Sequence, residues 1–96
     1  MVSWRVLIDE DAQKFLENLP EKSLRIAKEK LRTLEEDPFP GKHGDKELIQ
    51  RKGHKDIYRL HISRSYTAFY RVHKDEKIVK ILHITTIEQA NKLYGR

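Results

Sequence analysis

The chain has no cysteine among its 96 residues. That excludes a disulfide framework and any thiolate-held zinc. Glycine and proline are scarce, four and three, which excludes low-complexity or collagen-like character. No apolar run approaches the roughly 20 residues of a membrane-spanning helix. The opening Met1-Val2-Ser3-Trp4-Arg5-Val6 lacks a signal-peptide layout, so a cytoplasmic protein with no membrane partner is expected. Acids are nearly missing from one stretch. Between Ile49 and Lys74, Asp56 is the only acid against Arg51, Lys52, Lys55, Arg59, Arg64, Arg71 and Lys74. That stretch carries +6 of a chain whose total is +5, leaving −1 for the rest. Charge gathered in this way attracts polyanions through counterion release and steering, so nucleic acid is the expected partner class. The competing reading is a solvated basic face that aids solubility.

The length suits a single domain, 1–96. Trp4-Arg5-Val6-Leu7-Ile8 reads as a first strand. Asp9 then stands where a helix N-cap belongs, followed by Glu10 and Asp11 in the first turn. Ala12, Phe15, Leu16 and Leu19 recur at helical spacing until Pro20. A longer helix is predicted over Glu21 to Glu36, with Leu24, Ala27, Leu31 and Leu34 as its apolar stripe and Glu21–Arg25 and Glu29–Arg32 as surface pairs. Asp37 to Gly44 is a loop by composition and the segment expected to move most. Lys46 to Gly53 has no decisive pattern; Leu48 and Ile49 are its candidate anchors.

Two strands follow that alternate at period two. In Ile57 to Ile62, residues Tyr58, Leu60 and Ile62 share one face, and Arg59 and His61 the other. In Thr67 to His73, residues Ala68, Tyr70 and Val72 share one face; Thr67, Phe69, Arg71 and His73 share the other. Ile78 to Ile84 is a third strand, apolar on both faces and so interior to the sheet. Thr85 or Thr86 caps a short C-terminal helix running towards Tyr94. The expected class is α+β: an antiparallel sheet in the order β-α-α-β-β-β, with a helical hairpin on one face and a short terminal helix. Arg59, His61, Phe69, Arg71 and His73 are left on the open, cationic face.

That face suggests a binding site for RNA phosphate. Arg51, Lys52, Lys55, Arg64 and His73 are the candidate backbone contacts, and Phe69 is either a platform for a base or a residue packed against the C-terminal segment. Three histidines, His61, His73 and His83, fall on neighbouring strands. No acidic ligand accompanies them and the surrounding charge opposes a dication, so no metal or other cofactor is expected. His83 reads equally well as a hydrogen-bonded core residue. Acid–base chemistry fits better. RNA carries its own nucleophile, the 2′-hydroxyl; cutting it needs a proton acceptor, cations for the phosphorane and an acid for the leaving oxygen. His61 can move protons near neutrality, and Arg59 and Arg71 can hold charge.

With Ile57-Tyr58-Arg59-Leu60-His61-Ile62, then Tyr66, Phe69-Tyr70-Arg71-Val72, Ile81-Leu82-His83-Ile84 and the late Tyr94 in view, the chain resembles the RelE/ParE toxin superfamily over nearly its whole length. The resemblance implies a curved sheet with a helical hairpin on one side. It also implies a cognate, RelB-like antitoxin in a hetero-oligomer. RelE-type members cut mRNA in the ribosomal A site without metal; ParE-type members poison DNA gyrase. Carried across, Arg59 and His61 match basic positions of the RelE site, and Tyr94 its C-terminal tyrosine. Two positions depart. Thr67 follows Tyr66 where arginine is usual, and Glu88, or nearby Ile87, stands where a catalytic arginine is usual. Three functions therefore stay open: a ribosome-dependent endoribonuclease, a ParE-like inhibitor of gyrase without chemistry of its own, and a degenerate member that binds RNA or antitoxin without cutting. On the first reading Thr67 is a deficit that arginine would repair.

Overall fold

The computed structural model describes residues 4–41, 44–49 and 57–93. Strands Arg5–Ile8 (β1), Lys46–Ile49 (β2), Ile57–His61 (β3), Tyr66–His73 (β4) and Ile78–Thr86 (β5) form one sheet in the order β1-β5-β4-β3-β2. Helices Glu10–Glu17 (α1) and Glu21–Arg32 (α2) follow β1, and Ile87–Leu93 (α3) follows β5. The class is α+β, as the sequence suggests. Three pairings are antiparallel, but β1 runs parallel to β5. A parallel neighbour needs a long connection, and here most of the chain intervenes between the two strands.

The α1 and α2 stripes account for the core. Ala12, Leu16, Ala27, Leu31 and Leu34 pack on Leu60, Ile62, Ala68, Tyr70, Val79, Ile81 and Ile84 of the sheet. The longer helix ends at Arg32 and tightens into a 3₁₀ turn over Thr33–Glu35, which carries the buried Leu34. Asp9 occupies the N-cap of α1 but makes no capping hydrogen bond; its carboxylate lies 3.9 Å from Lys80 instead. Thr86 does cap α3, its Oγ1 accepting the Gln89 N–H at 3.1 Å. The Glu21–Arg25 surface pair forms at 3.7 Å.

β5 lies between β1 and β4, interior as expected. Its double-sided apolar character comes from a bulge. Phe69 faces His83 while Tyr70 faces Ile81, so Leu82 is an extra residue on β5. The buried positions Val79, Ile81 and Ile84 therefore stay on one face although their spacing is two and then three.

Besides the parallel β1–β5 pair and the earlier end of α2, two further expectations change. The segment without a decisive pattern contains an edge strand, β2, paired with β3. Leu48, a candidate anchor, is 39% exposed there, while Ile49 packs against Ile57, Phe69 and Ala90 on the sheet face away from α1 and α2. The loop expected to move most is pinned at its start. Pro38 is fully buried and its carbonyl accepts the Tyr70 hydroxyl at 2.6 Å. Phe39 makes edge contacts with both Trp4 and Tyr58. Burial pushes the Tyr70 hydroxyl's pKa up, as do the negative charges of nearby groups, so it remains a donor.

Candidate nucleic-acid interface

Alternation sends Arg59 and His61 to the sheet face away from α1 and α2, because Leu60 between them is fully buried in the core. Arg59 is held on three sides. Its Nε donates to Thr67 Oγ1 at 3.0 Å, its Nη1 lies 3.9 Å from Glu47 Oε1, and its guanidinium sits 5.7 Å from the Phe69 ring centroid. Its side chain is 14% exposed. His61, the last residue of β3, is more open at 40%. Its Nε2 lies 3.5 Å from the same Glu47 oxygen.

One carboxylate thus bridges the arginine and the imidazole. Glu47 comes from β2, directly opposite Arg59. Sequence reasoning missed it because Lys46-Glu47-Leu48-Ile49 shows no alternation. As an edge strand it needs only one neighbour, and its inward Lys46 is covered through Asp45 rather than through an apolar side chain. Asp45 is in turn bound by Lys30 of α2 at 3.1 Å. Burial pushes Asp45 up, but the Lys30 hydrogen bond and the charges of Lys46 and Lys30 outweigh it, and the carboxyl ends below its ordinary range.

Three site expectations are corrected. Phe69 offers no face to a base. It is fully buried with Ile57 and Ala90, because α3 lies over this part of the sheet. Thr67 is also fully buried, donating to the Leu60 carbonyl at 3.0 Å while accepting from Arg59. It is a built part of the face, bonded on both sides and closed to solvent. His83 is exposed and faces Phe69, so it is not a core residue.

Arg71 shares the face but not the place. His61 pairs with Thr67, and Arg71 lies four residues further along β4, ~13 Å at the rise of a strand. Phe69, with the Arg59 guanidinium over it, stands between. The remaining candidates divide between the two ends. Arg64 is exposed in the turn just beyond His61, and His73 is exposed at the far end of β4. Tyr94, Arg51, Lys52 and Lys55 lie outside the described residues. Glu88 is exposed in the first turn of α3. Among the described residues, no three His, Cys, Asp or Glu side chains gather as metal ligands.

The arrangement places a partly exposed imidazole beside a fixed guanidinium on one sheet face. Comparisons agree with the fold that builds it. Residues 2–90 match the ParE toxin of the type II toxin–antitoxin system, parDE. The archaeal RelE–RelB complex from Pyrococcus horikoshii contains a chain 30% identical to this one, with TM-score 0.73, covering 88% of this chain and 94% of that one. A toxin–antitoxin complex, RelBE2, from Mycobacterium tuberculosis is similar in fold, at 20% identity, TM-score 0.71 and coverages of 88% and 99%. So is a mutant E. coli toxin RelE in the free state, at 23%, TM-score 0.70 and coverages of 98% and 92%. No curated protein sequence matches significantly.

Proposed function

The chain belongs to the RelE/ParE superfamily of type II toxin–antitoxin toxins, and on that premise we propose that it is a RelE-like endoribonuclease. It cuts mRNA in the ribosomal A site by attack of the 2′-hydroxyl, without metal, in the cytoplasm. The observation that carries this is His61, open to solvent and two residues from the cation Arg59 on one strand face. Arginine cannot take a proton near neutrality; imidazole can. Glu47 engages Nε2, which leaves Nδ1 to take the 2′-hydroxyl proton as the new P–O bond forms. Arg59 stabilises the phosphorane charge, and the leaving 5′-oxygen needs a proton donor, for which Tyr94 is the candidate. A cognate antitoxin silences it, as a partner of the kind RelB is in the P. horikoshii complex.

The test is single-turnover cleavage on programmed ribosomes. His61→Ala is expected to lose about 10²–10⁴ in rate while keeping most ribosome binding. Equal rates would remove His61 from the mechanism. No cleavage by the parent protein would move the function to a ParE-like inhibitor of gyrase. The ParE match and the absence of arginine at Thr67 and Glu88 favour that second reading. Gyrase supercoiling assays with purified toxin decide it directly.

A further inference from the structure

Arg71 and Lys80 stand directly opposite each other on β4 and β5. Cross-strand partners project to the same face, and like charges so placed repel. Arg71 is the less settled of the two. Its Nε is buried from solvent and has no hydrogen-bond partner among the described residues. Among the described residues its guanidinium makes no ion pair. Among the described residues Lys80 has only Asp9, at 3.9 Å, with both side chains about half exposed, 46% and 49%. Surface pairs of this kind are weak and exchangeable. Arg59 differs, because Thr67, Glu47 and Phe69 already occupy it.

A sheet that leaves a buried guanidinium donor unmatched beside a second cation is short of an anion. A phosphate would accept from the terminal nitrogens of Arg71, beyond the enclosed Nε, and from the Lys80 ammonium across the ladder. We propose that Arg71 and Lys80 form a second anion subsite, which takes an RNA backbone phosphate other than the one at His61. The subsite rests on the nuclease reading for its ligand. Register separates it from the reaction centre, since Arg71 lies four residues along β4 from Thr67, the partner of His61. An RNA strand crossing the face is therefore gripped at two points, one reactive and one not.

The probe is a short single-stranded RNA carrying 2′-O-methyl groups throughout, which binds but cannot be cut. Its affinity is measured across a salt series for the parent, Arg71→Gln, Arg71→Lys and Lys80→Gln. Each phosphate contact on a single strand contributes about 0.7 to the slope of log affinity against log salt. Because both cations share one phosphate, Arg71→Gln and Lys80→Gln should each lower the slope by up to that amount and weaken binding several-fold at 0.1 M salt. Arg71→Lys should keep the slope while losing part of the affinity. The Arg71 Nε–H resonance of the parent should also shift on RNA addition. An unchanged slope with an unmoved resonance overturns the subsite, and so does a parent that binds no RNA. A parent that cleaves ribosomal mRNA but shows an unchanged slope keeps the nuclease and loses the subsite. A slope that falls in a parent without cleavage keeps the subsite and loses the nuclease.

Discussion

Thr67 and Arg59 form a single unit: the threonine hydroxyl accepts from Arg59 Nε at 3.0 Å and donates to the Leu60 carbonyl at 3.0 Å. The arginine's position is set by a residue that, from sequence, looks like a lost cation. Thr67→Val keeps the shape and removes both hydrogen bonds. It should cost about 1–2 kcal/mol, read by urea denaturation, and broaden the Arg59 Nε–H resonance. Thr67→Arg should be worse, by about 3 kcal/mol or more, because it forces a charge into a fully buried site. A gain of activity and stability in Thr67→Arg would show that the pocket yields, and would restore the deficit reading.

Glu47 places a negative charge 3.9 Å from Arg59 and 3.5 Å from His61. It competes with any phosphate drawn to those groups. Glu47→Gln should tighten binding of non-cleavable RNA several-fold at low salt, with the gain shrinking as salt screens the face. Fluorescence anisotropy on the two proteins checks this. Weaker binding by the Gln variant would mean that the carboxylate organises the site more than it opposes the ligand.

Lys77 closes the β4–β5 turn with φ of 59°, in the left-handed region that side chains disfavour. Its ammonium lies 4.8 Å from the Trp4 ring centroid. Lys77→Gly relieves the backbone and loses the cation–π contact, worth about 0.5–1 kcal/mol at an exposed site, so it should be near neutral. Lys77→Ala loses the contact and keeps the strain. It should melt lower than the glycine variant by the equivalent of about 1–2 kcal/mol. Equal melting temperatures would contradict the strain argument.

Asp45 links α2 to the start of β2 through Lys30. Its carboxyl is held below the ordinary value of 3.8. A depressed carboxyl contributes stability at pH values above its unfolded pKa, and that contribution is lost as pH falls through the folded pKa. Asp45→Asn should therefore be less stable than the parent at pH 7, by about 1 kcal/mol after allowing for the partly exposed Lys30. The difference should narrow below pH 3.8. Denaturation midpoints at pH 7 and pH 3 provide the measurement; a constant difference would place the Asp45 contribution in packing instead of charge.

Local periodicity was enough to determine much of this protein. The stripes of α1 and α2, the alternation of β3 and β4, and the outward direction of Arg59 and His61 all follow from residues a few positions apart, as does a cap at Thr85 or Thr86, between which the structure chose Thr86. Steric period and hydrogen-bond accounting act over that range, so the sequence shows them. The tertiary structure decided what depends on neighbours distant in the chain. Phe69 alternates outward like Arg59, yet α3 arrives to bury it. Thr67 reads as a missing charge until Arg59 is seen to bond it. Glu47 enters the site only because β2 pairs with β3, and Leu82 is extra only in register with β4. Arg71 is outward as expected, but its distance from His61 is fixed by cross-strand pairing. Alternation tells which face a side chain takes; only the packed sheet tells what stands beside it or above it.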